Sequence, residues 1–431
     1  MDWTKIPDLL AITALVLAFA SILRRESRED LEIEGSPFAD SQLWLRGWIL
    51  ILIHFAASMG EQWDGWPGYA AVALSLVSLI AAAVVFMRAS VRYRNHASSL
   101  WMTAALAVPP SAYILLLLLP TAPDWTLIVT ATITAIGPLA VILLSPRRLL
   151  AAPRFIVMIL YLLLGAGLLL WGPPRQGNGG SFALNAILFT VYLCCCLIFW
   201  SNYRGRVSAG SVITIGGFLA WAMVFSVAPF LQIRMPALHI ESEVWNLPKY
   251  VVAVGMLLLL LENQIERSQY LALHDDLTSL PNRRKFHAQL AERIALCNRT
   301  GESLGLLQID LDRFKHVNDA YGHHVGDLLL QQVAERMRLR IRRGDLLART
   351  GGDEFSLILA QPNSPKDIHT VADSLTELLS LPFSVNNHPM EIGASIGAAI
   401  YPEDAQDASS LYIAADLRMY EEKEIRRGLS A

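Results

Sequence analysis

Nine apolar stretches near membrane-spanning length fill the first 261 residues and constrain the fold more than any other feature. They lie at about residues 6–23, 43–60, 67–87, 99–119, 125–144, 154–172, 182–200, 208–231 and 249–261. Backbone amides inside a bilayer must find partners within their own segment, so stretches of this kind are expected to be helices. Composition agrees: 54% of the 431 residues are hydrophobic and the mean hydropathy is +0.40, too apolar for an ordinary soluble protein. Charge is unevenly divided. Residues 1–261 hold 16 Lys/Arg and 13 Asp/Glu, whereas residues 262–431 hold 19 and 25. The expected organisation is an all-α polytopic membrane domain over 1–261, a juxtamembrane helix over 262–273 and a water-soluble α+β domain over 274–431. A net charge of −3 argues against nucleic acid as a partner.

Alternate loops carry the basic residues. One set holds Arg24, Arg25 and Arg28, then Arg88, Arg92 and Arg94, then Arg147, Arg148 and Arg154, then Arg204 and Arg206; the other holds only Arg175 and Arg234. Because Lys and Arg stay on the cytoplasmic side, the N-terminus is expected outside and the C-terminal part in the cytoplasm. The first stretch does not read as a cleaved signal peptide, since Met1-Asp2-Trp3-Thr4-Lys5 is not a basic start. The outside loops are too short for a folded receptor domain, so any signal must act on the spans, a loop or a partner. His54 and Asn185 lie in apolar segments and are expected to bond between helices. Cys194, Cys195 and Cys196 fit helix packing rather than a metal site, and Pro109-Pro110 and Gly216-Gly217 fit kinks or close helix contacts.

The last span continues without a breaker through Glu262 to Leu273. Leu258, Leu261, Ile265 and Leu271 follow roughly a 3–4 spacing, which suits a helix that pairs with its copy or one that merely spaces two domains. Beyond it, patterns alternate. Helices are expected at Arg284–Cys297, Gly326–Arg342, Lys366–Leu379 and Ser409–Arg427, with strands at Leu304–Ile309, Phe383–Val385 and Glu391–Ile400. The run Arg349-Thr350-Gly351-Gly352-Asp353-Glu354-Phe355 reads as the turn of a hairpin, with glycines supplying unusual backbone freedom before two adjacent carboxylates. By itself it also fits an ordinary surface turn. Asp310-Leu311-Asp312-Arg313-Phe314-Lys315 follows an apolar strand, putting two carboxylates on one side of it and Lys315 in the turn after it. If Asp310 and Asp353 converge from neighbouring strands, they suit a hard cation with a polyphosphate completing its coordination.

Five segments in order make residues 274–431 resemble the GGDEF domain of diguanylate cyclases. They are His274–Arg283, Asp310–Lys315, Asn318–Asp327, the intact Gly351–Phe355 run and Ala415–Lys423. The resemblance implies a palm-like α+β sheet shared with nucleotide cyclases, and condensation of two GTP into cyclic di-GMP and two pyrophosphates across a homodimer. It assigns Asp310, the Leu311 carbonyl, Asp353 and Glu354 to Mg²⁺, with Glu354, Asp353 and Lys315 as the catalytic set. It assigns Asn318, His323, Asp327, Gly351, Gly352, Lys423 and Arg427 to GTP, with Asn318 and Asp327 on guanine. Arg342 and Asp345 match the family's product-inhibition motif for cyclic di-GMP. The implied setting is the bilayer of a bacterial cytoplasmic membrane. Two positions depart from the family pattern: Glu422 replaces a small residue, and Arg426 stands where glycine usually precedes the final arginine, Arg427. Neither is expected to touch the metal site. A domain of this type without catalysis, acting as a receptor for GTP or cyclic di-GMP, is the alternative.

Overall fold

Each of the nine apolar stretches carries a helix. The computed structural model describes residues 5–29, 38–89, 96–119, 122–144, 151–170, 179–203, 205, 207–235, 242–362, 365–386 and 388–429. The helices are α1 (Ile6–Glu29), α2 (Phe38–Ser58), α3 (Trp66–Ala89), α4 (His96–Leu118), α5 (Asp124–Leu144), α6 (Ala151–Leu170), α7 (Gly179–Tyr203), α8 (Ala209–Arg234) and α9 (Ser242–Leu273). Among the described residues, five are long and apolar enough to cross a membrane, those in α1, α3, α7, α8 and α9. The described apolar parts of α2, α4, α5 and α6 are shorter. Arg92, Arg94, Arg147, Arg148, Arg175, Arg204 and Arg206, used above for orientation, lie outside the described residues.

Contacts divide the chain into two units, Met1–Asn263 and Gln264–Ala431. In the first, Phe19, Trp48, Phe86, Phe218 and Phe199 form a buried aromatic relay whose successive ring centroids are 5.1–6.1 Å apart. Helices α8 and α9 touch backbone to backbone. A Cβ on Gly217 would stand 2.9 Å from Val252 N, and one on Gly255 2.6 Å from Thr214 N, whereas Gly216 faces open space. Close approach through small residues is how helices associate where no water is present to drive them together.

Polar groups add to this. His54 Nδ1 lies 3.0 Å from Ser75 Oγ, bonding α2 to α3 as expected of it, and Ser75 Oγ donates to Glu61 at 3.1 Å. Glu61 accepts from Lys5 at 3.1 Å. Asp8, in α1, accepts from Asn246 at 2.6 Å and from Tyr250, both in α9, while Lys249 donates to Asn246 at 2.7 Å. Composition gave no sign of these pairs, because each charge is isolated in sequence and only helix packing assembles them.

The second unit holds α10 (Arg283–Thr300), β1 (Leu304–Asp312), α11 (Phe314–Tyr321), α12 (His323–Arg338), β2 (Leu346–Arg349), β3 (Glu354–Ala360), α13 (Pro365–Ser380), β4 (Phe383–Val385), β5 (His388–Met390), β6 (Gly393–Tyr401) and α14 (Ala408–Leu429). Asn282 caps α10 by accepting from Lys285 N at 3.1 Å, and Gly301 ends it in the left-handed conformation that glycine favours, at φ 74°. The main sheet runs β2-β3-β1-β6, with antiparallel neighbours throughout, so β1 is central. Strand alternation sorts its side chains. Leu307, Ile309 and Leu311 join Phe355, Leu357 and Leu359 in a core with α12 and α13, while Leu304 and Leu306 join Ile358 and Ala399 in a core with α10 and α14.

Three expectations change. A helix that the sequence reading did not include, α11, puts Lys315 in a helical first turn instead of a loop; its eight residues are too few for a clear apolar period. Helix α12 ends at Arg338, so Arg342 lies in the connection to β2. The strand expected over Glu391–Ile400 is preceded by the short β5, and β6 starts only at Gly393.

Candidate active site

Strand register builds the centre of the site. Asp310 on β1 pairs directly with Glu354, the first residue of β3, and both side chains project toward α14. Asp353 sits in the turn just before β3, in line with the reading of this run as a hairpin turn, and its carbonyl accepts from Leu311 N at 3.2 Å. Lys423 of α14 reaches down to donate to Asp310 Oδ1 at 2.5 Å. Asp310 is 7% exposed at its side chain and Lys423 21%.

Burial pushes the Asp310 carboxyl above its ordinary range; Lys423 opposes this, and Asp353 and Asp312 reinforce it. Glu354 is open to solvent by area. Its carboxyl is nevertheless raised, first by partial withdrawal from water and then by the negative field of Asp310, Asp353 and Asp416. The result is a set of mutually repelling oxygen donors with Lys423 as a cation among them. All-oxygen donors of this kind fit a hard divalent cation. Among the described residues no group of three or more His, Cys, Asp or Glu side chains stands in ready metal-binding geometry.

The glycines of the turn work differently from the expectation. Neither Gly351 nor Gly352 has a positive φ. Gly351 instead gives room to Glu354, whose Oε2 would lie 2.5 Å from an added Cβ, and Gly352 borders open space. The turn is closed by Thr350 N and Gly351 N donating to the Glu354 carbonyl at 3.0 and 3.2 Å. Below the carboxylates, Thr350, Ser356 and Gln308 form a buried hydroxyl-amide row, with Ser356 Oγ donating to Gln308 at 2.7 Å.

Arg349 opens the run and carried no assigned role. Its guanidinium bonds both Asp275 oxygens at 3.0 and 3.1 Å and donates to the Gly352 carbonyl at 2.8 and 3.2 Å. It therefore ties the turn to the Asp275–Thr278 segment that opens the domain. Burial opposes ionisation of Asp275, but hydrogen bonds from Thr278 and Arg349 outweigh it and hold the carboxyl below its ordinary range. A group depressed in this way stabilises the fold above its unfolded pKa, and that stabilisation is lost as pH falls through the folded pKa. Arg349→Ala is expected to cost about 2 kcal/mol near neutral pH, because it strips a partner from a mostly buried pair. The deficit should shrink when thermal unfolding is repeated below the ordinary carboxylate range; an equal deficit at both pH values would reject the pairing as its cause.

The remaining residues fall in three places. Asn318 on α11 and Asp327 on α12 lie on two successive helices joined at Gly322, which has φ 84°. An added Cβ on Gly326 would fall 1.9 Å from Asn318 Oδ1, so glycine there leaves room for that amide. His323 and Lys315 are exposed. Arg342 and Asp345 line a separate cavity of about 240 Å³ with Leu357, Leu359 and residues of α13, on the sheet face opposite the carboxylates. Asp345 Oδ1 there accepts from Ala360 N at 2.9 Å. Arg427 is on α14, but its side chain lies outside the described residues. Of the two departures from the family pattern, Arg426 pairs with Glu422 at 2.7 Å and lies 3.6 Å from Asp312 on β1.

Residues 272–428 match the family profile described as "Diguanylate cyclase, GGDEF domain". This part of the chain is a GGDEF domain. Over 154 residues it is 47% identical to MucR of Pseudomonas aeruginosa, named a bifunctional diguanylate cyclase/cyclic di-GMP phosphodiesterase; the match covers 36% of this chain and 22% of MucR. It is 40% identical over 158 residues to the diguanylate cyclase TpbB of the same organism, covering 36% of each. A solved GGDEF domain of TpbB, also called YfiN, aligns at 40% identity and a TM-score of 0.35, covering 35% of this chain and 88% of that one. The match thus spans about a fifth to a third of these two curated relatives.

Proposed function

We propose that the chain is a membrane-anchored diguanylate cyclase, which joins two GTP into cyclic di-GMP and releases two pyrophosphates. The observation that carries this is the direct pairing of Asp310 with Glu354, in reach of Lys423 and beside the Asp353 turn. The 47% and 40% identities to proteins named for this activity support it.

Glu354, with its raised carboxyl, is the base for the attacking 3′-hydroxyl. Asp310, the Leu311 carbonyl, Asp353 and Glu354 would hold Mg²⁺, which supplies charge neutralisation at the phosphate and a lower hydroxyl pKa. Asn318 and Asp327 read guanine, whose N1–H and amino group suit an aspartate acceptor. Lys423, Lys315 and Arg427 offset phosphate charge, and open space at Gly352 leaves room for nucleotide. One domain binds one GTP, so two must face each other in a homodimer. Arg342 and Asp345, which line a cavity of their own, take cyclic di-GMP as inhibitor. Five helices long and apolar enough to cross a membrane support anchoring in a bacterial cytoplasmic membrane, and the GGDEF domain would then lie on the cytoplasmic side.

The test is to purify the full chain in detergent, supply GTP and Mg²⁺, and assay products by mass spectrometry. Cyclic di-GMP and pyrophosphate are expected in a one-to-two ratio. A dimeric preparation that binds GTP yet makes no product would replace this reading with that of a nucleotide receptor.

A further inference from the structure

Among the described residues, Met419 is the last buried apolar side chain of α14; Tyr420 and Ile425 beyond it are 58% and 64% exposed. The turns that carry Lys423 therefore gain no anchor from the hydrophobic core. Their attachment is polar. Glu422 Oε2 accepts from Ile396 N at 3.0 Å, occupying a backbone donor of β6, the last strand of the sheet. Its other oxygen accepts from Arg426 Nε and Nη2 at 3.0 and 2.7 Å. Arg426 Nη1 in turn lies 3.6 Å from Asp312, which also accepts from Ser395 Oγ at 2.7 Å. Glu422 and Arg426 are one helical turn apart, and Lys423 stands between them in sequence.

Each of the two would be a liability alone. Glu422 adds a carboxylate to a neighbourhood that already holds Asp310, Asp312 and Glu354, and Arg426 without it could shift wholly onto Asp312. Together they balance in charge and reach both β1 and β6. We propose that Glu422 and Arg426 are a compensating pair of positioning residues, which dock the end of α14 on β1 and β6 and so hold the Lys423 ammonium at Asp310. The inference rests on the reading of this site as a GTP site. It adds to that reading two residues where the chain departs from its family.

The experiment uses the full chain in detergent, with hydrogen exchange over residues 419–429 and the affinity for α,β-methylene GTP as readouts. Glu422→Ala and Arg426→Ala are each expected to speed exchange of that segment and to weaken analogue binding about fivefold, the effect of losing a charged tether and a backbone hydrogen bond. The double variant should be no worse than either single by more than about twofold, because the pair acts as a unit. Glu422→Gln, which keeps an oxygen acceptor, should recover part of both losses. In a Lys423→Met background, Glu422→Ala should speed exchange but weaken binding no further, since its effect passes through the ammonium. Unchanged exchange in Glu422→Ala, additive single effects, or a further affinity loss in the Lys423→Met background would each overturn the proposal. Wild-type protein without analogue affinity would defeat the GTP reading, while the exchange data would still judge the pair.

Discussion

Glu354→Gln is expected to lower cyclic di-GMP formation about a thousandfold while the fold persists. Glutamine has the shape of glutamate but cannot accept the proton of an attacking hydroxyl, and loss of a general base typically removes about 10²–10⁴ in rate. Stability should change little, because Glu354 is exposed and its backbone, which closes the turn to Thr350 and Gly351, is unaltered. Removing the Glu354 charge also removes its repulsion with Asp310, Asp353 and Asp416. The variant should therefore unfold at or slightly above the wild-type temperature. Asp310→Asn should be equally inactive for a different reason: it leaves the Lys423 ammonium without its carboxylate partner. Product formation at saturating GTP, with thermal unfolding as the control, checks both. A Glu354→Gln protein retaining more than about a tenth of the wild-type rate would remove Glu354 from the chemistry.

Gly397→Val carries the largest expected effect on stability. Gly397 lies on β6 opposite Gln308 and faces α14. A Cβ there would stand 2.1 Å from the Ala415 carbonyl oxygen and 2.2 Å from Met419 N, both backbone atoms of α14 that no rotamer change can move. The helix must retreat from the sheet or the strand must bend. Overpacking of this kind costs about 3 kcal/mol or more, which for a unit of this size lowers the unfolding temperature by about 10 °C. The same retreat would pull Lys423 from Asp310, so catalysis should fall with stability even below the transition. Gly352→Ala, next to open space, is the comparison that should unfold normally. If the two variants melted within about 2 °C of each other, the backbone contact between β6 and α14 would not be what fixes that helix.

Much of this protein was legible before its structure. Apolar length placed a helix in every stretch of the first unit, because a buried backbone has few alternatives to one. Strand geometry foretold that Asp310 and Asp312 share a face, and the five motif segments identified the domain. What sequence could not give is any contact that joins distant residues. The Asp310–Glu354 pairing depends on the register of β1 against β3, and a slip of one residue would put the two carboxylates on opposite faces. Arg349 finds Asp275 across 74 positions, and Asp8 finds Asn246 and Tyr250 across 238 and 242. The glycines of the acidic turn looked like a backbone requirement and proved, at Gly351, to be a matter of space beside Glu354. Glu422 and Arg426 looked like two unrelated departures until helix docking brought Glu422 to the backbone of β6 and Arg426 to Asp312 on β1. Local spacing determined the elements and the identity of the domain; tertiary structure decided which charges meet, because that depends on register and docking, to which residues far apart in the chain contribute jointly.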